Sequence, residues 1–124
     1  MAASMDDTWP KPSFKVFSAT GRYMGFGFQR LDGFEVYRPG GEEEGWCGLI
    51  EGNDVFFSSY ELAGRVEGTT IFYHHGKRAG YIDGNSVFTT DGLLAGHVEG
   101  PASSPAAAGA ILLLILNRWD QFRS

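Results

Sequence analysis

One short motif constrains this chain more than anything else in it. Gly-x-[Val/Ile/Leu]-[Asp/Glu]-Gly stands at Gly48–Gly52, Gly64–Gly68, Gly80–Gly84 and Gly96–Gly100, with a period of 16 residues and no slippage. Leu31-Asp32-Gly33 reads as a divergent earlier copy. An aliphatic–aromatic pair accompanies each copy: Val36-Tyr37, Val55-Phe56, Ile71-Phe72 and Val87-Phe88, with Val16-Phe17 as a leading member. Val16–Gly25 aligns without gaps to Val87–Gly96, glycine falling at the same two places in both. A fixed internal period means one structural unit repeated.

Sixteen residues are too few for a β-α-β unit, whose crossover alone takes a dozen or more. They fit two short strands and two turns. Val, Ile, Phe, Tyr and Thr suit a pleated surface. Gly52-Asn53, Gly84-Asn85 and Asp91-Gly92 are turn dipeptides. Each repeat therefore reads as a β-hairpin, with strands near Ala79–Asp83 and Ser86–Thr89 in the clearest copy. The region from Phe14 to Glu99 becomes about ten antiparallel strands, strands averaging ~5–6 residues. The 124 residues make one domain, large enough for a core without staples. Cys47 is the single cysteine, so no intrachain disulfide and no cysteine-based zinc site exists.

Alternation along the strands assigns the two faces. Neighbours in the aliphatic–aromatic pair must point oppositely. The aliphatic face also carries Phe14, Phe34, Phe57 and Tyr73, whereas the other carries Lys15, Glu35, Asp54, Thr70 and Ser86. Val16, Val36, Val55, Ile71 and Val87 are thus expected inside, with Val66, Ile82 and Val98. Phe17, Tyr37, Phe56, Phe72 and Phe88 are expected outside, partly covered by the next hairpin.

The segment Ala106–Leu116, AAAGAILLLIL, has no polar side chain. Three readings compete: a transmembrane anchor, a long central strand, and a helix buried on all sides. A bilayer core needs ~20 apolar residues. Ala and Leu favour helix, and Ser104 with Pro105 makes a start signal. A helix apolar all round must be buried all round. Threaded through a barrel, it fills the lumen and lets the sheet close without edges. The expected fold is therefore all-β with one C-terminal helix: a closed antiparallel barrel of ~16-residue hairpin repeats around a buried hydrophobic helix. Residues 1–13 read as a flexible N-terminal tail, 14–117 as the barrel with its central helix at 105–117, and 118–124 as a C-terminal tail.

Repeated Gly-x-Val-Glu-Gly and Val-Phe hairpins followed by an apolar C-terminal stretch resemble the four-fold beta-flower domain family. The plan is similar to the tubby C-terminal and phospholipid-scramblase-like barrels, which wrap strands around a hydrophobic helix. The resemblance covers Phe14 to Leu116. It implies the same barrel plan, and through the tubby link it implies contact with membrane phosphoinositides.

No residue pattern points to catalysis. His74, His75 and His97 lack metal-ligand spacing, and the adjacent His74 and His75 are expected to diverge in a turn. His97 occupies the variable place also held by Leu49, Arg65 and Tyr81, which reads as a tolerant surface position. Asp32, Glu51, Glu67, Asp83 and Glu99 would ring one rim of a barrel; such a ring could hold calcium, but repetition in every unit favours pairing with turn N–H groups or with Arg30 and Arg65. The close acids Glu51/Asp54 and Glu61/Glu67 are pairs that acidic strands produce freely. No P-loop, dinucleotide fingerprint or nucleophile elbow is present. Gly25-Phe-Gly27 reads as a strand bend, and Cys47 as an inert, half-buried thiol.

With 15 acids against 10 bases the formal charge is −5, which disfavours nucleic acid as a partner. Arg38, His74, His75, Lys77 and Arg78 are the candidate ligand contacts, with further turn residues at Arg22 and Asp91. The expected role is a non-enzymatic binding or scaffold module, with no cofactor and no metal, that contacts lipid headgroups. The alternatives are a protein-interaction domain using exposed aromatics, Trp119 and Phe122, and a small C-terminally anchored protein. Residues 1–13 show neither a basic n-region nor an apolar core, so the expected location is cytoplasmic, peripheral to membrane.

Overall fold

The computed structural model describes residues 12–39 and 45–117. Ten antiparallel strands form one closed barrel: β1 (Phe14–Ser18), β2 (Tyr23–Gln29), β3 (Gly33–Tyr37), β4 (Trp46–Glu51), β5 (Asp54–Phe57), β6 (Leu62–Glu67), β7 (Thr70–Tyr73), β8 (Arg78–Asp83), β9 (Ser86–Thr89) and β10 (Leu94–Glu99). Neighbours in sequence are neighbours in the sheet, and β1 closes on β10 through Val16 opposite Val98. No strand edge is left open. The expected hairpin-repeat barrel is the observed one.

Strand direction alternates, so the turns divide between two rims. The upper rim carries the turns β1–β2, β3–β4, β5–β6, β7–β8 and β9–β10; the lower rim carries the others and the exit to the helix. The lower turns are two-residue loops beginning at Gly52, Gly68 and Gly84, whose φ of +61°, +61° and +63° suits the first place of a type II′ turn. The second turn residue stitches neighbouring hairpins: Asn53, Thr69 and Asn85 carbonyls accept from Val66, Ile82 and Val98 N–H groups.

The conserved spacing of the motif has a second use. In every unit the register shifts by one residue beside the aliphatic–aromatic pair. The extra residue is Met24, Cys47, Ala63, Ala79 or Ala95. Each is a β-bulge, which bends and twists the strand toward closure. It also turns two successive residues inward, so that Ala63 and Gly64, like Ala79 and Gly80, are both buried. The glycine then has no room for a side chain. A Cβ on Gly64 would collide with the Phe72 carbonyl oxygen and lie 2.7 Å from Leu112 Cδ2. Gly25, Gly48, Gly80 and Gly96 face the carbonyls of Tyr37, Phe56, Phe88 and Phe17 in the same way. The five units use the five outward aromatics, one each.

This geometry corrects the reading of Leu31-Asp32-Gly33 as the first copy. The bulge glycine of the first unit is Gly25, opposite Val16, and residues 30–33 are an enlarged lower turn. Gly25-Phe-Gly27 is thus the repeat itself. Gly27 stands where other units carry Ile or Val, and the Phe14 ring lies over it and fills the volume.

The apolar segment is the plug of the barrel. Helix α1 (Ser104–Ile111) runs on into a π-helical turn, Leu112–Leu116, and residues 106–116 are all buried. The cap is Ser103 rather than Ser104: its hydroxyl accepts from the Ala106 N–H at 3.2 Å, with Pro105 in the first turn. The expected helix over 105–117 is therefore α-helical only in its first part. Five large aliphatics in succession must all find partners, and the looser π winding lets them spread around the lumen. The helix enters at the lower rim, small side first. There the strands supply the bulk, and Gly109 packs against Ile50 and Val55. At the upper half the strands supply glycine and alanine, and the helix supplies the bulk: Leu112 lies over Gly64, Leu114 over Gly25 and Ile115 over Gly96. The Leu116 carbonyl, one of the unpaired groups of a helix end, accepts from Tyr73 Oη at 3.1 Å. Among the described residues no helix is long and apolar enough to cross a membrane.

The predicted faces hold. Val16, Val36, Val55, Ile71 and Val87 are fully buried, with Val66, Ile82 and Val98, and Phe34 and Phe57 pack at the margin of this core. The outward aromatics are half-buried, and their cover is specific. Each faces the variable residue of a motif on the adjoining strand: Phe17 stacks on His97 at 5.3 Å, Phe88 on Tyr81 at 5.3 Å and Tyr37 on Phe26 at 5.5 Å. Phe56 lies opposite Leu49 and Phe72 opposite Arg65. His97 is thus a half-buried cross-strand partner of Phe17, in a slot that five different residue types fill. Residues 1–11 of the expected N-terminal tail with Trp9, the run Glu42-Glu43-Glu44, and residues 118–124 with Arg118, Trp119 and Phe122 lie outside the described residues. Ser13, expected in that tail, instead donates its N–H to the Gly27 carbonyl at 2.8 Å, and its hydroxyl accepts from the Gln29 N–H at 2.9 Å.

Two outcomes follow. Gly64→Ala should destabilise the barrel by about 3 kcal/mol or more, because backbone must move, whereas Gly68→Ala, in open space at φ +61°, should cost about 1 kcal/mol; urea midpoints of the two variants compare them. Leu113→Asp, an unpaired charge inside the plug, should abolish the cooperative unfolding transition seen by circular dichroism.

Candidate functional site

The upper rim repeats a single turn. The first N–H of the turn donates across it: Ser18 N to Arg22 O at 2.8 Å, Phe57 N to Glu61 O at 2.9 Å, Tyr73 N to Lys77 O at 2.8 Å and Thr89 N to Leu93 O at 2.8 Å. In each the fourth residue is left-handed: Gly21 at φ +88°, Gly76 at +92°, Gly92 at +85° and Tyr60 at +70°. Three glycines make this conformation costless. Tyr60 pays about 1–2 kcal/mol for the contact of its Cβ with backbone, and its ring stands 68% exposed.

Among the described residues the two rims differ in charge. The described upper turns carry Arg22, Arg38, His74, His75, Lys77 and Arg78 against Glu61 and Asp91, and Glu42-Glu43-Glu44, which follow β3 in the sequence, lie outside the described residues. The lower turns and strand ends carry Asp32, Glu51, Asp54, Glu67, Asp83 and Glu99 against Lys15 and Arg30. The candidate contacts Arg38, His74, His75, Lys77 and Arg78 thus share one rim, and all are exposed. Apolar groups share it too. Tyr23, Tyr60, Leu62, Leu93 and Leu94 are exposed at the upper rim, Leu93 by 58%. These five were missed in the sequence. Aligning the turns exposes the signal, since Tyr60 replaces a glycine and Leu93-Leu94 follows Gly92 where a sibling has Lys77-Arg78.

His74 and His75 do not diverge. Their rings meet edge to face at 5.0 Å, and His75 lies 5.6 Å from Tyr73. His75 Nδ1 accepts from the Lys77 N–H at 3.4 Å. The turn overhangs a groove of about 430 Å³ on the barrel wall, floored by Phe72 and Arg65.

The lower acids show no cation geometry. Among the described residues no group of three or more His, Cys, Asp or Glu is placed to hold a metal ion. Glu67 pairs with Arg65 and Glu99 meets His97 at 3.3 Å, each two residues away on the outer face of its own strand. Arg30 pairs with Glu35 rather than Asp32. Cys47 is buried in the bulge slot that three other units fill with alanine and one with Met24, its thiol against the Gly45 carbonyl at 3.5 Å.

Tyr37 Oη donates to Glu35 Oε1 at 3.0 Å. Burial first, then this bond and the Glu35 charge, push the Tyr37 phenol up to about 12, against an opposing pull from Arg30. Burial alone raises Tyr23.

Protein-family models, curated proteins and solved structures yield no match to this chain.

A raised phenol pKa binds its proton more tightly in the folded state. The Tyr37 contribution to stability should therefore be constant below pH 10 and be lost between pH 10 and about 12. Tyr37→Phe should flatten that alkaline decline in urea midpoints measured across the range.

Proposed function

We propose that this barrel is a non-enzymatic binding module that sets its upper rim on an anionic lipid surface. One observation carries the reading: among the described residues, cationic turns and five of the seven exposed large apolar side chains (Leu31 and Tyr81 apart) occupy the same rim, while acids outnumber bases at the opposite one. Each Lys or Arg near an anionic leaflet contributes about 1 kcal/mol. Tyrosine and leucine between them suit the headgroup boundary, where a ring can be half wet and half apolar. The acidic rim, repelled by the same surface, orients the barrel. The −5 net charge makes this a matter of charge placement, not of total charge.

The resemblance to the beta-flower and tubby-like barrels supports this reading through shared architecture, strands wrapped on an apolar C-terminal helix. The ligand contacts in this proposal are Arg38, His74, His75, Lys77 and Arg78, with Arg22 beside them. An anionic cytoplasmic leaflet is the surface that fits.

Co-sedimentation with vesicles tests it. Vesicles containing phosphatidylserine should retain the protein, and pure phosphatidylcholine should not. Retention should fall with salt, since exposed charges are screened over about 8 Å at 0.15 M. Lys77→Glu with Arg78→Glu should lower the partition coefficient by at least 10-fold, and Leu93→Asp should lower it without changing the salt dependence. Equal retention on both vesicle types overturns the reading.

A further inference from the structure

The outer wall of β3 and β4 carries a second groove, of about 280 Å³, which shares Tyr60 with the upper rim but none of the cationic contacts proposed for lipid. Trp46, Tyr60 and Leu49 form its apolar side. The Trp46 and Tyr60 rings meet edge to face at 5.7 Å, and Trp46 is held in place by its Nε1–H bond to the Gly48 carbonyl at 3.0 Å. Asp32, Glu35 and Glu51 form the polar side, with Arg30 as the one cation of the lining among the described residues. That cation is already engaged, because Arg30 pairs with Glu35. Among the described residues neither Asp32 nor Glu51 has an ion-pair partner.

Tyr60 is the second observation. Its three sibling turns reach the same left-handed conformation with glycine, so the fold needs no side chain there and is strained by having one. The strain places an aromatic ring opposite Trp46. Strained residues cluster at binding and active sites.

We propose that this groove binds the guanidinium group of an arginine presented by a partner polypeptide. A guanidinium is planar and weakly hydrated, so it lies against aromatic faces and forks onto carboxylates, where an ammonium does neither as well. Two aromatic rings and two uncommitted carboxylates along one groove match both needs. Asp32 and Glu51 are exposed, so their charge attracts a cation and repels an anion, and a neutral ligand gains nothing from it.

The experiment is calorimetric titration of the full chain with an N-acetylated tetra-arginine peptide, lipid-free, beside its tetra-citrulline counterpart, which keeps the shape and lacks the charge. Arginine binding with citrulline at least 10-fold weaker is expected. Tyr60→Gly should weaken arginine binding at least 10-fold while raising or preserving Tm, the reverse of what loss of a structural residue does. Glu51→Gln should weaken binding several-fold and reduce its salt dependence, and Glu67→Gln, outside the groove, should not. The proposal falls if citrulline binds equally, if Tyr60→Gly lowers Tm with affinity unchanged, if Glu67→Gln weakens binding as much as Glu51→Gln, or if the wild-type chain takes up no arginine peptide. None of these outcomes depends on vesicle binding.

Discussion

The whole structure depends on filling a hole. A barrel of ten short strands encloses more space than Val and Ile can occupy from the wall, and an empty apolar lumen forfeits the contacts that hold an interior together. The helix supplies the missing volume. Each large buried aliphatic contributes about 1.5–3 kcal/mol, so the five of the π turn together rival the ~5–15 kcal/mol net stability of an ordinary domain. Wall and plug are complementary along the axis. Where the wall is glycine and alanine the plug is leucine, and where the wall is valine and isoleucine the plug is alanine and Gly109.

The β-bulge connects this packing to the repeat. It bends each hairpin inward, brings a carbonyl up to the glycine, and opens the space into which Leu112, Leu114 and Ile115 reach. The first unit shows that volume matters more than the letter of the motif. Gly27 stands in place of an aliphatic residue, and Phe14 makes good the loss from the neighbouring strand.

The hairpins, the inside–outside assignment of Val16 through Val98 and the buried helix were legible because each follows from local rules: alternation, turn chemistry, uniform apolarity. Other features were not legible because they arise between strands. The bulges shift register by one residue without altering the sequence period. The stacking of His97 on Phe17 joins residues far apart in the chain through barrel closure. The π winding follows from the width of the lumen, which no helix propensity records. Of the candidate site, the basic residues were visible singly, whereas the company of Tyr23, Leu62 and Leu93 was not.

The 16-residue period by itself determined that this chain forms antiparallel hairpins with one aliphatic face, because glycine spacing and side-chain alternation act within a few residues. The separation of charge between the two rims among the described residues, the placement of Tyr60 against Trp46 and the seating of the plug were decided only in three dimensions. Alternating strand direction sends every second turn to the same end, and closure then sets side by side groups that the linear order keeps apart.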